Sequence, residues 1–264
     1  MQYALSAQPV VPMRAGPSDK EEMISQLVFG ETMMILEKQQ KWSFVELTSD
    51  GYRGWVSGSM IINIDEGLSG KMTDSNPAIS GSLFLPVLEN RGKFPLFIPA
   101  GSSLYEYKPA SNSFHIGETA YTCLEEPVFY AGDKLREDIS QAVLKFINIP
   151  YLWGGKNPFG MDCSGLTQTI MKLFGIKLPR DARQQVEKGM TINFINEAQP
   201  GDLAFFDNEE GEIIHTGLII KNQEIIHASG SVRTDRIDHQ GIYNSKLRQY
   251  THRLRVIKNV ADHI

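Results

Sequence analysis

Cys163 stands in Gly160-Met161-Asp162-Cys163-Ser164-Gly165-Leu166, where an irregular, glycine-containing stretch gives way to apolar residues at helical spacing. A thiol at such a junction meets the backbone N–H groups and the positive end of a helix, so the sequence predicts a lowered thiol pKa and an available thiolate. A thiol nucleophile also needs a base. His215 lies at the start of the apolar run Ile213 to Ile220, and His227 near the end of the next run, Glu224 to Ala228. If Asn222-Gln223 alone joined two strands there, the histidines would project from opposite faces. A three-residue loop at Lys221 to Gln223, or a bulge, makes them diagonal neighbours on one face, and this is the arrangement predicted. His227 can then hold one nitrogen of His215, fix its tautomer and leave the other nitrogen to face Cys163. Blander readings stand beside this one. A cysteine at a helix start is often an inert small residue, and a strand histidine a satisfied core residue. A Cys-His-His zinc site would need a fourth ligand or a water.

The elements that must position these residues follow from pattern. Asp133 is suited to cap a helix whose apolar positions Ile139, Val143, Phe146 and Ile147 recur at helical spacing, with Ile149-Pro150 as its stop. A second helix is predicted from Asp162–Ser164 through Leu166, Ile170, Leu173 and Phe174 to Gly175, and a short third around Asp181 to Glu187. Strands are expected at 201–207, 213–220, 224–228 and 253–257, giving an α+β domain. Upstream the texture is short β-forming runs broken by turn residues. Candidates are 27–29, 32–36, 42–47 and 54–56, then 82–88, 95–98, 103–107 and 119–124. We expect three domains: a small β-barrel at 1–64, a diverged second one at 65–131, and the α+β domain at 132–264.

Composition sets the outer bounds. The 264 residues are 41% hydrophobic and 22% charged, as in a soluble globular chain that buries a sizeable core. The formal net charge of −5 and the absence of any dense Lys/Arg cluster argue against nucleic acid or an anionic membrane as partner. There is no apolar run long enough to span a bilayer, and Met1 to Ala7 lack the basic and apolar regions of a secretory signal. The expectation is a cytoplasmic monomer, or a periplasmic or extracellular one if a signal has been removed. The two cysteines form no C-x-x-C pair, which removes a thiol-redox motif and a four-thiolate zinc site. Cys123 is read as buried and inert, and His239, His252 and His263 have no partner at an informative spacing.

Residues 132–264 resemble the NlpC/P60 family of papain-like cysteine peptidases. The segments that carry this are Pro150-Tyr151-Leu152-Trp153-Gly154-Gly155, Asp162-Cys163-Ser164-Gly165-Leu166, Leu178-Pro179-Arg180-Asp181, Pro200-Gly201-Asp202-Leu203, His215-Thr216-Gly217 and Ile226-His227-Ala228-Ser229. Residues 10–64 resemble a bacterial SH3 domain through Val11-Pro12-Met13-Arg14 and Gly51-Tyr52-Arg53-Gly54-Trp55-Val56, and 65–130 do so more weakly. The implied fold is a papain-like α+β catalytic domain preceded by two SH3-like barrels, similar to the γ-D-glutamyl-L-diamino acid endopeptidases that recycle cell-wall peptides.

The resemblance implies Cys163 as nucleophile, His215 as general base, His227 as its orienting partner and Tyr151 as an oxyanion donor beside the Cys163 N–H. It implies that Trp153, Asp162 and Ser164 line the groove. Asp181, with Glu22 (or Glu21) and Tyr52 of the first module, would read the free amine of an L-Ala-γ-D-Glu-diamino acid peptide. A serine often found soon after the Arg-Asp pair is missing at Ala182 and Arg183. No metal or organic cofactor is implied. The rival functions are an exported hydrolase of intact peptidoglycan, with the modules binding wall, and a silent peptide-binding protein.

Overall fold

The computed structural model describes residues 1–261, so His263 lies outside the described residues. The chain divides into two compact units, Met1–Phe129 with Lys156–Pro158, and Tyr130–Gly155 with Phe159 onward.

In the first unit, β1 (Gln2–Ser6), β2 (Val10–Arg14), β3 (Met23–Val28), β4 (Thr32–Gln39), β5 (Trp42–Leu47), β6 (Arg53–Ser57) and β7 (Ile61–Ile64) form one antiparallel, barrel-like sheet in the order β3-β2-β6-β5-β4-β1-β7. Helix α1 (Glu66–Asp74) follows, capped by Asp65, whose side chain accepts from Leu68 N–H. A six-stranded sheet comes next: β8 (Ala78–Ile79), β9 (Phe84–Glu89), β10 (Leu96–Pro99), β11 (Ser103–Lys108), β12 (Ser113–Ile116) and β13 (Thr119–Cys123).

The expected division at residue 64 does not separate two bodies, and β1 shows why. Successive strand side chains face opposite ways. Ala4 enters the core of the first sheet with Val11, Leu27 and Val45. Its neighbour Leu5 enters the core of the second, with Leu85, Ile98 and Phe114, and Phe29 joins it there. Lys156 and Asn157 also belong to this unit: both donate to Gln26 Oε1, and Lys156 Nζ lies 3.3 Å from the buried Glu31 carboxylate.

The second unit contains α2 (Leu135–Ala142), continued by a 3-10 turn at Val143–Phe146. Asp133 does not cap this helix. It sits inside a separate 3-10 turn, Gly132–Lys134, and Lys134 takes the N-cap position with no side-chain cap. Short strands β14 (Lys156–Asn157, counted with the first unit) and β15 (Gly160–Met161) precede α3 (Cys163–Leu173) and α4 (Ala182–Gln185). Seven strands complete the unit: β16 (Met190–Ile192), β17 (Leu203–Asp207), β18 (Ile213–Lys221), β19 (Glu224–Ser229), β20 (Ser231–Ile237), β21 (Gly241–Asn244) and β22 (Gln249–Asn259). Their order is β16-β22-β17-β18-β19-β20-β21, and β21 also pairs with β22, so the strands from β17 to β22 close a circuit. Helix α3 packs against β18 and β19. A core of Ala204, Phe206, Ile219, Ile225, Ile237, Ile242 and Ile257 holds the sheet together.

The hairpin that matters most carries the predicted irregularity. Gly217 pairs with His227 and Ile219 with Ile225, but Lys221 pairs with Glu224, so a bulge falls between Ile219 and Lys221. His215 and His227 therefore share a face.

Candidate active site

The site starts from the N-terminus of α3. Asp162 is its N-cap, and Oδ1 accepts the Gly165 N–H at 2.7 Å. The turn is very close to the preceding loop: a Cβ on Gly165 would sit 2.2 Å from the Gly155 carbonyl oxygen, so only glycine fits. Cys163 Sγ receives the backbone N–H groups of Ser164 and of Thr216, the residue after His215. The sulfur is thereby fixed against β18.

From His215 a hydrogen-bonded chain runs inward. His215 Nε2 lies 2.9 Å from His227 Nδ1, and His227 Nε2 lies 3.0 Å from Asp235 Oδ2. Arg233 Nε donates to the same carboxylate oxygen at 2.7 Å. Proton positions follow in sequence. The ionised Asp235 accepts from His227 Nε2–H, so neutral His227 offers a lone pair at Nδ1. His215 must then donate from Nε2, which leaves the lone pair of its Nδ1 as the basic atom.

Burial dominates the titration of all these groups. It lowers His215 well below its usual value, helped by the charges of His252, His227 and Arg233, and it lowers His227 against the pull of Asp235. Burial also opposes ionisation of Asp235, but hydrogen bonds from His227 and Arg233 hold its carboxyl below the usual range. The Cys163 thiol goes the other way from the lowering expected from sequence. Burial and the Asp162 charge push it up to about 11, against the two N–H donors and Arg180. Thiol and imidazole are thus both neutral at rest.

Sequence reasoning missed four residues here. Asp235 and Arg233 lie on β20, a strand that was not expected, although their alternation in Ser231–Ile237 has the strand period. His252, on β22, stacks on His215 with ring centroids 4.1 Å apart and 26° between planes. No local pattern announces it; closure of the sheet brings it in. Arg180 is the fourth, 2% exposed, and its guanidinium meets both oxygens of Asp162 at 3.1 and 2.5 Å and Ser164 Oγ at 2.8 Å.

The nitrogens of His215, His227 and His252 lie within 4.8 Å of one another, close enough to raise the question of a metal. Ring geometry answers it unfavourably. In-plane lone pairs on the two stacked rings run side by side instead of converging, and the His215–His227 pair is spent on its own hydrogen bond.

The remaining expected residues divide. Tyr151 is bridged to Met161, just before the nucleophile, and burial together with the Cys163 and Asp162 charges pushes its phenol up to about 12, so it is a hydrogen-bond donor at all ordinary pH. Trp153 is exposed on the same loop. The Asp162 carboxylate is occupied by Arg180, Gly165 N–H and, at 2.8 Å, Gly154 N–H, and Ser164 Oγ is occupied by Arg180 and Asp162, so both side chains brace the loop and helix. Asp181 is half-buried and forms a capping box with Gln184 at the start of α4. Glu22 and Tyr52 are in the first unit. Glu22 is exposed and its carbonyl accepts from Ala15 N–H, while Tyr52 packs on the first sheet's core.

Residues 148–255 match the NlpC/P60 family and residues 13–61 the bacterial dipeptidyl-peptidase SH3 domain. The chain carries an NlpC/P60 peptidase domain and a bacterial SH3 domain. It is 29% identical over 218 residues to the γ-D-glutamyl-L-lysine dipeptidyl-peptidase of Bacillus subtilis (strain 168), covering 77% of this chain and 71% of that one. It is 27% identical over 255 residues to dipeptidyl-peptidase 6 of Lysinibacillus sphaericus, covering 86% and 88%. In fold it is similar to the crystal structure of an NlpC/P60 family protein from Bacillus cereus ATCC 10987, with a TM-score of 0.80 at 19% identity over 98% of this chain and 99% of that one. Within the NlpC/P60 domain, α3, β18 and β19 supply Cys163, His215 and His227, and β20 and β22 supply the residues behind them.

Proposed function

We propose that this chain is a cysteine peptidase that hydrolyses the γ-D-glutamyl-L-diamino acid bond of short peptidoglycan peptides bearing a free N-terminal L-Ala. The observation that carries the chemistry is the continuous chain His215–His227–Asp235, which leaves one basic nitrogen on His215, the residue before Thr216, whose N–H holds the Cys163 thiol at the helix start. The bond cleaved is taken from the name of the B. subtilis relative, a γ-D-glutamyl-L-lysine dipeptidyl-peptidase.

The reaction is acyl transfer. His215 Nδ1 takes the thiol proton as Sγ attacks the γ-carbonyl carbon. The resulting oxyanion accepts hydrogen bonds from the Cys163 N–H and the Tyr151 phenol. Collapse breaks the C–N bond, and the departing α-amine takes the proton from His215. Water, deprotonated by His215, then cleaves the thioester and releases L-Ala-γ-D-Glu. Asp181 is our candidate for reading the substrate amine, since a desolvated ammonium needs an anionic partner. Trp153 is our candidate for a groove wall. We read the second sheet of the first unit as a diverged SH3-like module.

Mass-spectrometric detection of products from L-Ala-γ-D-Glu-L-Lys and L-Ala-γ-D-Glu-meso-diaminopimelate, beside their N-acetylated forms, tests this. The expected result is release of the diamino acid, abolished by Cys163→Ala, suppressed by acetylation and weakened by Asp181→Asn. Equal cutting of acetylated peptide, with digestion of intact sacculi, would transfer the reading to a wall hydrolase. No cutting of any peptide would overturn it.

A further inference from the structure

His252 has no place in the chemistry above, yet its ring lies closest to the general base. The hydrogen bond from His215 Nε2 to His227 fixes the position of one nitrogen, but a hydrogen bond permits rotation about its own axis. Such a rotation would change the direction in which Nδ1 points. The rings around His215 close off that freedom. His227 stands edge-on at 86°, Phe206 lies 5.7 Å away, and His252 covers a face of His215 at 4.1 Å. His252 is anchored in turn: its Nδ1 lies 2.9 Å from Thr251 Oγ1, and the Phe206 ring packs edge-on against it with centroids 5.9 Å apart.

We propose that His252 is a positioning residue for the reaction, a flat uncharged wall that sets the plane of the His215 ring and keeps water from one of its faces. The proposal rests on His215 being the general base. The titratable and charged groups that act on this stack are His227 from β19 and Arg233 and Asp235 from β20; β17 contributes apolar Phe206, and Cys163 of α3 is hydrogen-bonded by the N–H of Thr216, the residue after His215. Asp207 and Arg253, the strand neighbours, are occupied with each other at 2.8 Å. Burial, then the charges of His227 and Arg233, lower His252 to about 4, so the wall carries no charge at neutral pH and does not compete for the thiol proton.

Three variants separate stacking from other roles. His252→Phe keeps a flat ring, His252→Gln keeps a hydrogen-bonding group without one, and His252→Ala keeps neither. Two quantities are measured on the full chain: kcat and KM for L-Ala-γ-D-Glu-L-Lys, and the titration of His215 by NMR on isotope-labelled protein. We expect His252→Phe to stay within about threefold of the parent kcat, while Gln and Ala lose about tenfold or more with KM nearly unchanged. In those two the His215 titration rises toward 6.5 as water reaches the ring. If the Ala variant fails to fold, the contrast of Phe with Gln decides. Unchanged kcat and titration in His252→Gln, or a folded His252→Phe as impaired as His252→Gln, would overturn the proposal. A parent protein that cuts no peptide would sink the peptidase reading and this role with it, whereas a parent that cuts, with His252→Gln matching it in kcat and in the His215 titration, would sink this proposal alone.

Discussion

Two influences meet at the sulfur of Cys163. The helix start and the N–H groups of Ser164 and Thr216 favour a thiolate; burial and the nearby Asp162 carboxylate oppose it, and they prevail, with the thiol pushed up to about 11. A resting thiolate–imidazolium pair is therefore disfavoured, because His215 is at the same time held well below its usual value. The nucleophile forms as the proton moves to His215 during attack. This predicts how the free protein reacts with iodoacetamide. The rate of Cys163 alkylation should keep rising with pH beyond 9, toward the thiol's value of about 11. A plateau already reached at neutral pH would show a preformed thiolate and contradict this account. Measurement of modification by mass spectrometry resolves Cys163 from buried Cys123, whose thiol burial also raises to about 11.

At the scale of elements, α3 and the loop before it are locked by a polar network around Asp162. Its carboxylate caps the helix, holds the Gly154 N–H and pairs with Arg180, all in a region where the pair is nearly inaccessible. Removing one partner of a buried ion pair leaves the other charge desolvated and unmatched. Arg180→Leu should lower unfolding stability by about 3–5 kcal/mol, read by urea denaturation. It should also abolish peptide cleavage, because the loop that carries Tyr151 loses its brace. Stability within about 0.5 kcal/mol of the parent would show that Asp162 does not depend on Arg180. The hairpin of β18 and β19 was legible because strand side chains alternate, so one extra residue decides which face a histidine takes. Strand β20 was not, because Arg233, Asp235 and Arg236 read as a solvated charged stretch until His227 is seen beside them.

For the whole molecule, buried neutral groups set how stability depends on pH. His215, His227 and His252 have folded values below 6.5, so as pH falls below 6.5 the unfolded chain binds protons that the folded one refuses, and stability drops. For His252 that loss is complete near pH 4. Cys123 and Cys163 act at the other end: from about 9 upward the unfolded thiols lose protons that the folded ones keep, until about 11. Urea midpoints measured across pH should be flat between about 7 and 9 and fall on both sides, and His252→Phe should make the acid side shallower. A midpoint that rises on acidification from 7 to 5 would reverse the sign and refute the assignment.

Local order was largely written in the sequence. The β-texture of the first unit, the helix beginning at Asp162 and the bulged hairpin that puts His215 and His227 on one face rest on short-range rules: side-chain period, capping and turn chemistry, whereas the family resemblance was what joined Cys163 to the histidines. The tertiary structure alone decided three things. It merged the two expected barrels into one compact unit, because both faces of β1 are buried, Ala4 in one core and Leu5 in the other. It turned the Asp162 carboxylate inward to Arg180, because a buried charge is held by the nearest opposite one. It brought His252 onto His215 by pairing β22 with both β17 and β21. Sheet closure joins residues distant along the chain, and no local period carries that information.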